Sequence, residues 1–289
     1  MNQTLHELIR LLDLEPLEVN LFRGQSADLG GPSVFGGQVI GQALAAASRT
    51  VEGREPHSLH SYFLLPGDMA APIVYVVEQI RDGRSFSTRR VQGIQHGRPI
   101  FSMIASFQTP EKGLEHQFPP PEVPPPDSLP SFAEERERWI AEAGPVPDFL
   151  ADALMRSLAI EFRPVEQGNP LRPKVGEPRQ HVWFRTVEPL PDDPLLHRCI
   201  LAYASDFNLI GTALRPHGTS WFGGHVVMAS IDHALWFHRP SRADEWLLYA
   251  MDAPTTQGAR GLARGLIYDG EGRLVASAVQ EGMIRARRR

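Results

Sequence analysis

The chain has 289 residues, 42% of them apolar and 22% charged, with a formal charge of −5. This belongs to a globular chain with a sizeable core in one large or two ordinary domains, and the acidic balance argues against nucleic acid as a partner. The single cysteine, Cys199, excludes an internal disulfide and a cysteine-rich metal site, and no apolar run approaches the roughly 18 residues of a membrane span.

The N-terminus lacks the basic-then-apolar pattern of a secretory signal, so the cytoplasm is the expected compartment. Leu5, Leu8, Ile9, Leu11 and Leu12 are spaced for a short amphipathic helix that stops near Pro16. Leu21-Phe22-Arg23-Gly24 reads as a first strand. Gly36-Gly37 then opens a helix running through Ala47, with small residues that let it lie close to a neighbour. Segments 58–64, 73–78, 86–91 and 100–107 have the β-branched and aromatic content of strands, with hairpin turns at Asp82-Gly83 and His96-Gly97.

Residues 119–130 include seven prolines in twelve positions, which neither pair in a sheet nor continue a helix, so an extended linker is predicted. A charged helix follows over 133–143. The second half then repeats the first: a strand at 180–185, a helix centred on Leu201, and strands at 226–232, 246–251, 261–268 and 274–280. Pro66 and Pro240 each follow an aromatic strand, and Gly97-Arg98 and Gly272-Arg273 each open the last strand. A helix followed by consecutive hairpin strands, made twice, is an α+β arrangement with antiparallel sheets. The expected units are 1–112, a linker and connecting helix over 113–155, and 156–289. The basic run at 285–289 reads as a solvated tail.

Chemistry points to the second half. Asp206 shares a helical face with Cys199, Tyr203 and Ile210 that looks buried, where a carboxylate is costly unless used. Ser230, taken alone, is a strand hydroxyl that the backbone satisfies, and Gln280 interrupts an otherwise apolar strand. Strict alternation puts Ser230 and Asp232 on one face and Ile231 and His233 on the other, so Asp232 and His233 are not a dyad and Asp232 is a supporting carboxylate. Cys199 reads as a buried structural thiol. His57 and His60 point to opposite faces of a strand and do not share a metal. No G-x-S-x-G elbow, Walker lysine motif or G-x-G-x-x-G fingerprint occurs.

Several strings carry a closer likeness: Leu21-Phe22-Arg23-Gly24-Gln25-Ser26, Val34-Phe35-Gly36-Gly37-Gln38-Val39, His60-Ser61-Tyr62-Phe63-Leu64, Tyr203-Ala204-Ser205-Asp206, Ser277-Ala278-Val279-Gln280-Glu281-Gly282, and above all Ile231-Asp232-His233-Ala234-Leu235-Trp236-Phe237-His238-Arg239-Pro240. In this order, and including the Pro-rich join, the chain resembles the acyl-CoA thioesterase II family over nearly its whole length. The resemblance implies a double hotdog fold, two tandem antiparallel sheets each wrapped on a long helix and pressed sheet to sheet. It also implies hydrolysis of fatty acyl-CoA by water with no covalent intermediate, metal or cofactor. The family's catalytic trio falls on Asp206, Ser230 and Gln280. The middle position is often Thr in bacterial members, and Ser keeps the hydroxyl.

Such a site needs an activated water and a donor for the developing oxyanion. The helix start at Gly36-Gly37 and the helix carrying Asp206 are both candidates for that donor. Arg89, Arg90, Arg260 and Arg264 are either CoA-phosphate ligands or solvated strand arginines. The resemblance further implies a homodimer or homotetramer. Two other readings stand beside it: a hotdog enoyl-CoA hydratase or dehydratase, which needs a His/Asp pair at the acyl α and β carbons, and a non-catalytic acyl-CoA binding protein, which tolerates loss of Asp206.

Overall fold

The computed structural model describes residues 4–147, 154, 158–223 and 225–287. Helix α1 (Leu5–Leu12) is started by a capping box: the Thr4 hydroxyl accepts from the Glu7 N–H while the Glu7 carboxylate accepts from the Thr4 N–H. Its Leu5, Leu8, Leu11 and Leu12 are buried. Strands β1 (Glu15–Glu18) and β2 (Leu21–Gly24) lead to α2 (Gly36–Ser48), then β3 (Glu55–Phe63), β4 (Ile73–Asp82), β5 (Phe86–Gln95) and β6 (Arg98–Gln108). His96 and Gly97 both take left-handed backbone angles, φ 49° and 72°, the geometry that matches a two-residue turn to strand twist.

After α3 (Phe132–Ala143) come β7 (Ile160–Pro164), β8 (Arg179–Thr186) and α4 (Pro194–Ala204). Asp193 caps α4, accepting from the Leu195 and Leu196 N–H groups, and Pro194 occupies its first turn. The last strands are β9 (Val226–Ser230), β10 (Asp232–Phe237), β11 (Leu247–Gln257), β12 (Arg260–Tyr268) and β13 (Leu274–Ala286).

The expected pair of sheets facing each other is not what forms. All strands belong to one antiparallel sheet in the order β1-β2-β4-β5-β6-β3-β10-β13-β12-β11-β8-β7, with β9 also on β13. The halves join edge to edge, β3 against β10, from Asp232 opposite Tyr62 to Trp236 opposite Ser58. Each half ends in a strand with unpaired N–H and C=O groups, and pairing the two edges satisfies both rows at once. The Ser61 hydroxyl adds a bond across this seam, donating to the His233 carbonyl at 2.8 Å.

The two central helices lie against each other in opposite directions, so α2 begins where α4 ends. Gly37 and Gly41, one turn apart, allow the approach. A methyl at Gly37 would collide with the Tyr203 carbonyl oxygen, and one at Gly41 would come within 3.0 Å of the Cys199 carbonyl oxygen. Both helices are buried along most of their length, Gly37 to Ala47 in α2 and His197 to Ala204 in α4.

The proline-rich join is extended as expected, with one short 3-10 turn at Pro126–Ser128, but it is fastened to the second half. Trp183 Nε1 donates to the Pro124 carbonyl at 3.0 Å, Arg163 to the Pro126 carbonyl at 2.8 Å, and Gln117 exchanges bonds with Gly272 and Leu274. The basic C-terminus also departs from a solvated tail as far as it is described: Arg285 pairs with Val227 in the sheet, and the Arg287 N–H donates to the His225 carbonyl. Arg288 and Arg289 lie outside the described residues.

Candidate active site

Asp206, Ser230 and Gln280 come together where α2 starts and α4 stops. α4 ends at Ala204, so Asp206 sits just beyond the helix rather than within it, yet its side chain is only 5% exposed. Gln280, wholly buried on β13, donates through Nε2 to Asp206 Oδ1 at 2.6 Å and to Ser230 Oγ at 3.0 Å. The Gly37 N–H, in the first turn of α2, also donates to the Asp206 carboxylate. Burial pushes this carboxyl up to about 6, against the opposing pull of the Gln280 and Gly37 bonds. It is therefore mostly ionised at neutral pH while remaining a usable proton acceptor. A methyl at Gly36 would come within 2.7 Å of Asp206 Oδ2 and press on Phe63, so the glycine keeps that side of the carboxylate clear.

The convergence depends on a break that strict alternation misses. β9 ends at Ser230 and β10 begins at Asp232, and the pairing with β13 shifts by one residue between them: Ser230 lies opposite Gly282, Ala234 opposite Val279. This bulge overturns the expected split of faces. Continuing the β10–β13 register by one step brings His233 opposite Gln280, so Ser230 and His233 both lie on the Gln280 side. Asp232 holds the bulge closed, its Oδ1 accepting from the Glu281 N–H at 2.6 Å, which is the supporting role expected of it.

His233, expected on the opposite face, joins the site. It is fully buried, with Nδ1 3.9 Å from Asp206 Oδ1 and Nε2 2.9 Å from Ser205 Oγ, and burial pushes it down to about 3. Ser205, also buried, donates to the Ala202 carbonyl at 2.9 Å, and its own carbonyl accepts from the Tyr249 hydroxyl at 2.9 Å. A histidine at strand alternation carries no sign of such a partner, because the bulge that turns it inward has no residue signature here.

Aromatic rings wall the site. Phe35 packs on Phe207 with centroids 4.4 Å apart and on Tyr203 at 5.3 Å, and Phe207 continues to Phe162 at 5.1 Å. The four candidate phosphate arginines are each engaged by a carboxylate: Arg89 by Asp82, Arg90 by Glu78, Arg260 by Glu281 and Arg264 by Asp252. His57 bonds Ser106 and His60 packs edge-on against Trp236, so the two do not meet. Cys199 is buried, its thiol pushed up to about 12 by desolvation, as befits a packing residue. Among the described residues no group of three or more His, Cys, Asp or Glu side chains is placed to hold a metal ion.

Comparison with known proteins decides the lineage. The acyl-CoA thioesterase family profile matches residues 149–283, and the profile of the acyl-CoA thioesterase N-terminal domain matches 25–108. The chain is 42% identical over 286 residues to acyl-CoA thioesterase 2 of Haemophilus influenzae, covering 99% of each. It belongs to the acyl-CoA thioesterase II family. A crystal structure of an acyl-CoA thioesterase II from Mycobacterium marinum superposes with a TM-score of 0.78 at 44% identity, covering 97% of both chains. A hotdog-fold protein from Alicyclobacillus acidocaldarius, 20% identical, superposes with a TM-score of 0.79 over 98% of this chain and 99% of that one. At that identity the likeness speaks for the fold alone, and it places this thioesterase among the hotdog proteins. No helix among the described residues is long and apolar enough to cross a membrane.

Proposed function

We propose that the chain hydrolyses fatty acyl-CoA to free fatty acid and CoA, using Asp206 as general base with Ser230 and Gln280 as its partners. The observation that carries this reading is the double donation of Gln280 Nε2, which ties the Asp206 carboxylate and the Ser230 hydroxyl into one buried array. The water oxygen bonds to the thioester carbonyl carbon as Asp206 takes a water proton. The tetrahedral intermediate then expels the CoA sulfur, and the same proton returns from Asp206 to the thiolate. No covalent acyl-enzyme forms. Ser230 Oγ, accepting from Gln280, has its own proton left to orient the water or the thioester oxygen. The Gly37 N–H is already given to Asp206, which turns the oxyanion role toward the neighbouring Gly36 N–H at the same helix start. The Phe35, Phe63 and Phe207 rings supply apolar surface for the acyl chain.

The halves 1–112 and 156–289 act as the two units of a double hotdog joined by 113–155, and the two family profiles that cover them separately support this division. The site then uses both: Asp206, Ser230 and Gln280 from the second, the start of α2 from the first. We place the protein in the cytoplasm as a homodimer or homotetramer.

A hotdog hydratase would need its histidine facing the acyl carbons. His233 does lie beside Asp206, but it is buried and engaged by Ser205, which favours hydrolysis over that rival. The test is thiol release from acyl-CoAs of graded chain length, with wild type beside Asp206→Asn. The expected result is release by wild type and a fall of about 100-fold or more in the variant, with acyl-CoA binding retained. Absence of release from every wild-type reaction would overturn hydrolysis. Full activity in Asp206→Asn would overturn the assignment of the base.

A further inference from the structure

Two buried polar atoms beside Asp206 have no hydrogen-bond partner, His233 Nδ1 and Gln280 Oε1. For Gln280 the reason is simple: its amide nitrogen is turned toward Asp206 and Ser230, so the oxygen must point away. His233 needs a closer account. Its Nε2 and the Ala202 carbonyl oxygen both lie 2.9 Å from Ser205 Oγ. A hydroxyl has one proton and a carbonyl can only accept, so both contacts are hydrogen bonds in one arrangement only. Ser205 gives its proton to Ala202, and His233 Nε2–H donates to Ser205. The Nδ1 atom is then a bare lone pair, and it lies 3.9 Å from Asp206 Oδ1.

We propose that His233 is a positioning residue for the Asp206 carboxyl, held by Ser205 as its Nε2–H tautomer so that the Nδ1 lone pair, 3.9 Å away and beyond hydrogen-bond distance, opposes the carboxylate electrostatically and favours the protonated acid. This rests on the reading of Asp206 as the base. The general base must also hold a proton between attack and departure of the thiolate, and a neutral lone pair behind the carboxyl favours that state. An Nδ1–H tautomer would do the opposite, turning an N–H dipole toward the carboxylate and making it a weaker base. The other groups around the carboxyl do not supply a lone pair of this kind. Gln280 from β13 and the Gly37 N–H from α2 donate to it, and Ser230 from β9 faces Gln280. The Tyr249 hydroxyl from β11, the second titratable group facing Asp206, donates to the Ser205 carbonyl. His233 and Tyr249 are both neutral at the working pH because burial opposes charge on each.

Two measurements test the arrangement. The first needs no substrate: imidazole nitrogen shifts of histidine-labelled wild-type protein, with His233→Asn to assign the signal. The expected result is a neutral Nε2–H tautomer from pH 5 to pH 8, and an Nδ1–H or charged ring would overturn the proposal. The second is the pH dependence of kcat/KM for Ser205→Ala, which removes the tautomer lock, and for His233→Asn, which removes the ring lone pair that faces the carboxyl. In each the acid limb moves to lower pH. A one-unit displacement of a limb near 6 raises the fraction of plateau activity kept at pH 5 about fivefold. The plateau kcat itself falls, by up to about tenfold, because the protonated acid is no longer favoured over the carboxylate. Limbs that stay at the wild-type position in both folded variants would overturn the role of His233, whereas a flat response to Asp206→Asn would overturn the base itself.

Discussion

At the end of the helix pair where α2 begins, a buried carboxylate meets two N–H donors and a neutral histidine; at the end where α2 finishes, a buried arginine fills the matching space. The sheet makes the comparison concrete, because β6 and β13 hold equivalent places, each between its seam strand and the next strand outward. In the first half Ala105 on β6 lies between Leu59 on β3 and Arg89 on β5. In the second half Gln280 on β13 has Ala263 on β12 beside it and His233 on the seam side. Arg89 is 2% exposed and is bound by the Thr50 hydroxyl and carbonyl, both at 2.9 Å, and by Asp82. The same cross-strand row therefore makes a filled, charge-satisfied plug in one half. In the other it supplies His233 and Gln280, which flank the Asp206 carboxylate. With catalysis proposed at the Asp206 end, the other end is free to be packed for stability.

Several substitutions separate the two ends. The largest effect belongs to Asp206→Asn, about 100-fold or more in thiol release, with a stability change of the opposite sense. Asp206 titrates near 6 in the folded chain, above its ordinary value of 3.8, so the folded state binds the proton more tightly and loses stability as pH rises between those values. Asp206→Asn should accordingly be more stable than wild type by about 1–3 kcal/mol at pH 8 and gain nothing at pH 4, read from urea unfolding at both. Gln280→Ala, which copies Ala105 into the working end, should cost about 50-fold or more in kcat by freeing both Asp206 and Ser230. Retained activity would mean that the two Gln280 bonds are not needed for hydrolysis.

Arg89→Ala, which copies Ala263 into the spare end, should do the reverse: about 2–4 kcal/mol of stability lost to a cavity and unpaired Thr50 groups, with kcat within about threefold of wild type. Gly41→Ala tests the helix contact common to both ends and should cost about 1–3 kcal/mol, because the Cys199 carbonyl lies in the way. Ser230→Thr is the smallest change, within about threefold in activity, since the hydroxyl that accepts from Gln280 is kept.

The strands, the two long helices and the repeat were legible because period and turn chemistry are local properties. Gly36-Gly37 and His96-Gly97 mark positions that few other residues suit and fall at the expected helix start and turn, whereas Asp82 ends its strand and the turn there takes the four residues 83–86. The trio is legible as a set only through resemblance, and its residues taken singly signal it unevenly. Asp206 stood out as a carboxylate on a buried face, whereas Ser230 looked like any strand hydroxyl. Strict alternation puts His233 on the opposite face, and the register shift at Ile231 reverses it. Ser205, whose only visible distinction is its place before Asp206, offered nothing to read.

The amino-acid sequence specifies the elements, their order, the repeat and which half holds a buried carboxylate, since these follow from side-chain spacing and from the cost of placing a carboxylate among apolar residues. Tertiary structure alone decided that the halves share one sheet through β3 and β10, that a one-residue bulge turns Ser230 and His233 toward Gln280, and that Asp206 meets the start of the other half's helix. Those outcomes rest on pairing between segments far apart in the chain, where an edge seeks any complementary edge and a single-residue shift in register reverses which side chains face the core.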